Sequence, residues 1–236
     1  FRSQFFSVDI PMIFIPGVKN CFPHNAAYAD VRKIDFMRGE ETEVIGLLSK
    51  YHNLPLPLTV IIMGSHTKYI YVNEQKQICG SLTTLSGQIY EAIMEITSIG
   101  KLIRGSGNNR KPYLNTELID ISSDAVKYAG FLRSLLMPRF METLLNTKWY
   151  ERKLFIDTAI VAEDLKTLSE YKLFNICLSH NFVLVGQESR CRIMEYLLNK
   201  DYSINKVIRK IYDKEEVADL GVSGAITIAD RAGFLG

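Results

Sequence analysis

Several absences narrow the function of this sequence. No apolar run approaches the ~18 uninterrupted residues of a membrane-spanning helix, and the first residues lack the basic and apolar regions of a signal peptide, so no membrane association is expected. The four cysteines, Cys21, Cys79, Cys177 and Cys191, form no C-x-x-C pair and have no matching histidine pair. That argues against a zinc site and a disulfide framework, and for a reducing cytoplasm. An excess of one charge is missing too. The 28 Lys and Arg nearly balance 26 Asp and Glu, the two signs alternate, and no basic stripe points to a nucleic-acid partner.

What is present suits a globular protein. A chain of 236 residues can bury a core as one large domain or two small ones. Met12 to Ile15 reads as a short strand closed by Pro16-Gly17, and Val18 to Lys33 as a mixed loop containing His24. Leu58 to Met63 is apolar or β-branched without a period, the pattern of a strand covered on both faces. Lys68 to Val72 and Gln77 to Thr84 read as further strands. His66 and Lys68, two residues apart, would share one face and aim at one ligand. Helices are expected at Gly87 to Ile99, at Asp124 to Asn146 capped by Ser123 and broken at Pro138, and at Trp149 to Leu173. The polar stretch Gly105 to Pro112 reads as a connection, because no G-K-[ST] follows its Gly-Ser-Gly. Phe182 to Val185 and Lys206 to Ile211 are strands, with helices from Ser189 and over Glu215 to Ala232. The class is α/β, divided into a sheet-bearing unit over 1–120 and a helix-rich unit with a small sheet over 121–236.

The centre of the chain is Phe36 to Gly46, FMRGEETEVIG. It sets a guanidinium, a glycine turn and adjacent carboxylates before an amphipathic helix with Val44, Ile45, Leu47 and Leu48 at helical spacing. The helix should end near His52, ahead of Pro55 and Pro57. Acidic residues favour a first helical turn in any protein, so Glu40 and Glu41 by themselves require no chemistry.

Four groups of residues carry a resemblance: IPG at 15–17, MRGEETE at 37–43 with Gly46, GSHTKY at 64–69, and TTLSGQIY at 83–90. In order and separation they resemble the 2-dehydro-3-deoxygalactonokinases, sugar-acid kinases of the actin-like, hexokinase-type (ribonuclease H-like) two-lobed fold. GSHTKY is similar to the family's G-T-H-x-K-W and TTLSGQIY to its T-x-M-T-G-E-L-F. The likeness is strong over residues 12–100 and weaker beyond, where LVG at 184–186 resembles an adenine-binding turn and SGAITIA at 223–229 a closing helix. The chain departs from the family pattern at Gln88, which replaces a glutamate, and at Asp157 and Val161, which occupy glycine positions. The family's opening D-x-G-[ST]-[TN] phosphate turn has no counterpart in this sequence; either the sequence is a fragment, with the N-terminal part of the fold incomplete, which is the expectation, or the protein lacks that turn.

The resemblance implies ATP and Mg²⁺ as cofactors, and 2-dehydro-3-deoxy-D-galactonate, phosphorylated on its 6-hydroxyl, as substrate. It implies Glu41, then Glu40, as the carboxylate that orients the hydroxyl, and Arg38 as the planar partner of the substrate carboxylate. His66 and Lys68 would contact substrate or phosphate; Gly64, Ser65, Thr67 and Gly186 would contact the nucleotide. A homodimer is among the assemblies this reading admits. The departures motivate a second expectation, a catalytically impaired relative acting as a sugar-acid sensor or regulator.

Overall fold

The period-free run Leu58–Met63 becomes the central strand of a five-stranded sheet in a computed structural model, which describes residues 13–22, 24–105 and 112–235. In chain order the elements are β1 (Val18–Lys19), β2 (Phe36–Met37), α1 (Glu40–Lys50), β3 (Leu58–Met63), β4 (Thr67–Val72), β5 (Ile78–Thr84), α2 (Ser86–Ile96), α3 (Ser98–Ile103), α4 (Thr116–Ala129), α5 (Phe131–Leu145), α6 (Trp149–Leu165), β6 (Asn181–Gly186), α7 (Glu188–Tyr202), β7 (Val207–Ile211) and α8 (Lys214–Arg231). Two 3-10 segments, Tyr28–Lys33 and Lys166–Phe174, complete them.

Strand order is β5-β4-β3-β6-β7. The first three form an antiparallel meander, and β6 and β7 run parallel to β3. Every residue of β3 is buried because both faces are covered. Ile61 and Met63 join a core with Leu154 and Val161 of α6 and Ile193 and Leu197 of α7, while Leu58, Val60 and Ile62 join Val44 and Leu47 of α1 and Leu220 of α8. The result is helix, sheet and helix in three layers, which accounts for strands read as continuous apolar runs. The sheet takes strands from both sides of residue 120, where the sequence suggested a division.

The expected α1 and β3 to β7 form with small shifts at their ends. Elsewhere the structure corrects the reading. Residues 13–15 form no strand, and Met12 lies outside the described residues, as do 106–111 of the expected connection. The helix expected over Gly87 to Ile99 is two helices, because Thr97 is extended and its hydroxyl accepts from the Ile99 N–H at 3.2 Å and donates to the Ile93 carbonyl at 2.7 Å. The break expected at Pro138 falls at Gly130, whose φ of +86° ends α4, and α5 continues through the proline. Ser123 is inside α4, which is capped instead by Asn115 accepting from the Leu118 N–H. The helix expected to reach Leu173 turns 3-10 at Lys166.

Candidate active site

In-register pairing of Met63 with Gly186 sets the ends of the parallel strands β3 and β6 side by side. The exposed Gly64-Ser65 turn leaves one strand and the start of α7 leaves the other. Gly186 has φ +147°, and a Cβ there would lie 2.9 Å from the Met63 carbonyl oxygen, so both conformation and contact call for glycine. Beside it opens a cavity of about 320 Å³ lined by Met63, Gly186, Gln187, Tyr212, Lys214, Val217 and Ala218. A crevice beyond the carboxyl ends of parallel strands is where open α/β sheets bind ligands. The N-termini of α7 and α8 flank it through Gln187 and Lys214, and helix N-termini favour anions.

The turn itself is held in place from beneath. The Gln88 N–H of α2 donates to the Ser65 carbonyl at 2.8 Å, and the Gly64 N–H to the His66 carbonyl at 3.0 Å. His66 lies in the turn, its Nδ1 3.2 Å from the exposed Ser65 hydroxyl. Thr67, the first residue of β4, is buried, with its hydroxyl 2.7 Å from that of Ser86. Thr84 donates to the buried Asp164 in the same network. Burial raises the Asp164 carboxyl above its usual range, against the lowering effect of the Thr84, Ser86 and Thr67 hydroxyls.

Lys68 does not share a face with His66 in an extended segment, because the strand begins only at Thr67. Its ammonium is buried, donating to the Phe36 carbonyl at 2.5 Å and the Thr83 hydroxyl at 2.6 Å, with Asp35 Oδ1 at 3.8 Å. Thr83 donates in turn to Asp35, at 2.7 and 2.8 Å. The segment so anchored runs directly into β2, which pairs antiparallel with β1 through Val18 and Met37. That pairing lays Pro16-Gly17 against Arg38: a Cβ on Gly17 would stand 3.3 Å from the Arg38 Cβ. The segments 15–17, 36–43, 64–69 and 83–88, dispersed in sequence, therefore adjoin in space.

Gly39 precedes α1 with φ +116° and has no side chain to cap the helix. Glu41 does so instead: it is buried, and its Oε2 accepts from the Gly39 N–H at 2.8 Å. Arg38 is exposed and Glu40 half-buried. Glu43, one turn into the helix, packs beside Gly221 of α8, and its Oε2 is buried without a hydrogen-bond partner among the described residues. Burial first, then Glu40 and Glu41, push its carboxyl up to about 7. Asp35, Thr83 and Glu43 were not singled out as site residues in the sequence. Glu43 and Thr83 stand inside the motifs quoted above, whereas Asp35 has no local signal.

A mixed α/β sheet covered on both faces, with a crevice at the carboxyl edge of its parallel strands, defines an α/β protein consistent with the actin-like kinase fold. The chain belongs to the 2-keto-3-deoxy-galactonokinase family, whose model matches residues 3–218. Its fold is similar to the crystal structure of a Sinorhizobium meliloti protein provisionally named 2-dehydro-3-deoxygalactonokinase, with a TM-score of 0.60 and 19% identity, covering 84% of this chain. The chain spans 62% of that protein's length. No curated protein matches the sequence.

Proposed function

We propose that this chain belongs to the catalytic machinery of a cytoplasmic, ATP-dependent sugar-acid kinase that phosphorylates the 6-hydroxyl of 2-dehydro-3-deoxy-D-galactonate. The observation that carries the proposal is the junction at Lys68, Asp35 and Thr83, which ties the segments 36–43, 64–69 and 83–88 together, with 15–17 brought against Arg38 by the pairing of β1 and β2. The exposed free thiols of Cys21, Cys79 and Cys177 suit a reducing compartment.

In this reading the adenine enters the cavity beside Gly186, and the phosphates lie toward the Gly64-Ser65 turn, with His66 as a hydrogen-bond donor. Thr67 acts by holding that turn through Ser86, and Lys68 by fixing the segment that ends in Arg38. Arg38, exposed, receives the substrate carboxylate in the bidentate geometry a guanidinium allows. Of the two candidate carboxylates, Glu40 is the better placed to orient the hydroxyl and accept its proton, because Glu41 is committed to Gly39. The described residues hold no group of three or more His, Cys, Asp or Glu suited to a metal. Mg²⁺ bound chiefly through substrate phosphates needs one or two carboxylates, and Glu40 can supply one. The ion would neutralise charge on the phosphoryl oxygens.

A second reading, sugar-acid binding without phosphoryl transfer, is favoured by the burial of both Glu41 and Lys68. Sugar-acid-dependent release of ADP separates the two. Turnover supports the kinase, and calorimetric binding of the sugar acid without turnover supports the sensor.

A further inference from the structure

Arg190, in the first turn of α7, is only 6% exposed, yet its guanidinium has no hydrogen bond or ion pair among the described residues. A buried charge without a partner is costly, and native proteins rarely keep one. What Arg190 does touch is the ring of Tyr90 in α2, whose centroid lies 4.6 Å from its Cζ. Stacking uses the face of a guanidinium and leaves its in-plane N–H donors unspent. Neither nearby carboxylate takes them. Asp157 binds Lys153 at 2.5 Å through Oδ2, and its Oδ1 is buried without a partner among the described residues. Asp164 accepts from Thr84 and belongs, with Ser86 and Thr67, to the hydroxyl network beneath the Gly64-Ser65 turn.

Two helices place Arg190 about one helical turn away from that phosphate turn. Gly87, three residues before Tyr90 on α2, packs on its backbone: a Cβ there would lie 2.1 Å from the Gly64 carbonyl oxygen and 2.5 Å from that of Ser65. On α7, Arg190 follows four residues after Gly186, which pairs with Met63 beside the same turn. The charge of Arg190 is felt at Asp164, where it opposes the rise that burial causes. The turn itself lacks a cation. Gly64 to Thr67 contains no lysine or arginine, and Lys68, next in the chain, spends its ammonium on Phe36 and Thr83.

We propose that Arg190 binds the phosphates of ATP at this turn, donating its unspent N–H groups to phosphoryl oxygens in the bidentate geometry a guanidinium allows. That the anion is a nucleotide phosphate rests on the kinase reading; that Arg190 takes an anion rests on its unspent donors. Calorimetry with ATP and Mg²⁺, and with adenosine, on the unaltered protein, Arg190→Met and Arg190→Lys tests the assignment. Arg190→Met should weaken ATP binding roughly tenfold to a hundredfold and leave adenosine unchanged. Arg190→Lys, which keeps the charge and loses the fork, should recover part of the loss. Without ligand, the urea midpoint of Arg190→Met should equal or exceed that of the unaltered protein, because an unpaired buried charge is gone. Pyrophosphate should raise the midpoint of the unaltered protein and not that of Arg190→Met. No ATP binding by the unaltered protein, ATP affinity indifferent to Arg190→Met, an equal loss for adenosine, or a lower midpoint without ligand would each overturn the assignment. Pyrophosphate protection that needs Arg190 while ATP affinity does not would overturn it too, as an anion site apart from the nucleotide. Failure of the kinase reading looks different: ATP binds through Arg190, and no sugar-acid-dependent release of ADP follows.

Discussion

Gly46 of α1 and Gly224 of α8 face each other where the two helices cross, so closely that a methyl on Gly46 would overlap the Leu220 carbonyl and one on Gly224 the Thr42 carbonyl. Lys50 and Asp219, at 2.9 Å, and Ser49 and Thr227, at 3.2 Å, bridge the same helix pair. Because α1 begins at the candidate site, this crossing sets where Arg38 and Glu40 stand. Gly46→Ala and Gly224→Ala should each lower stability by roughly 1–3 kcal/mol, the cost of overpacking a close contact. Unchanged urea midpoints would show that the helices do not approach this closely.

Stability should fall as pH rises through the range where Glu43 ionises. Its carboxyl is raised from 4.5 to about 7 in the folded protein, so between about pH 5 and pH 7 the folded state keeps a proton that the unfolded chain has lost. At about 1.4 kcal/mol per unit, the cost above pH 7 is about 3 kcal/mol. Glu43→Gln, neutral and nearly isosteric, should raise stability at pH 8 by about 2–3 kcal/mol and flatten the profile between pH 5 and pH 8. A variant that keeps the wild-type slope would assign the proton to another group.

Lys68→Met should act first on the fold. It leaves Asp35 short of its cation and the Phe36 carbonyl without its donor, and removing one member of a buried pair costs about 3–5 kcal/mol. Asp35 keeps the Thr83 hydroxyl, so the lower end of that range is expected, read from chemical denaturation. Full stability with lost turnover would instead make Lys68 a direct ligand of phosphate or substrate.

Local patterns and long-range contacts differ in how far they could be read from the sequence. Helix α1 was legible because its apolar spacing and following prolines are local, and β3 because a strand covered on both faces carries no polar alternation. The capping role of Glu41 was hidden by an ambiguity in chemistry: an acidic residue in a first turn serves a helix or a substrate equally well, and only the Gly39 N–H contact distinguishes them. The destination of Lys68 depends on Asp35 and Thr83, which are brought to it by strand pairing and by the segment before β2, neither of which periodicity encodes. The break at Gly130 in place of Pro138 shows two helix-breaking residues competing, with the backbone turn made at the glycine.

The sugar-acid carboxylate should depend on Arg38. Arg38→Ala is expected to weaken binding of 2-dehydro-3-deoxy-D-galactonate roughly tenfold to a hundredfold in calorimetry, in line with about 1.5–3 kcal/mol for a hydrogen bond to a charged group. Equal affinity in the two proteins would remove Arg38 from the site.

The most direct test compares ADP release by Glu40→Gln and Glu41→Gln with that of the unaltered protein, in the presence of sugar acid, ATP and Mg²⁺. The account predicts that Glu40→Gln lowers turnover about 100-fold or more while sugar-acid binding persists, and that Glu41→Gln acts mainly by loosening the start of α1, at about 1 kcal/mol of stability. Undiminished turnover in Glu40→Gln, or no sugar-acid-dependent ADP release by the unaltered protein, would contradict it.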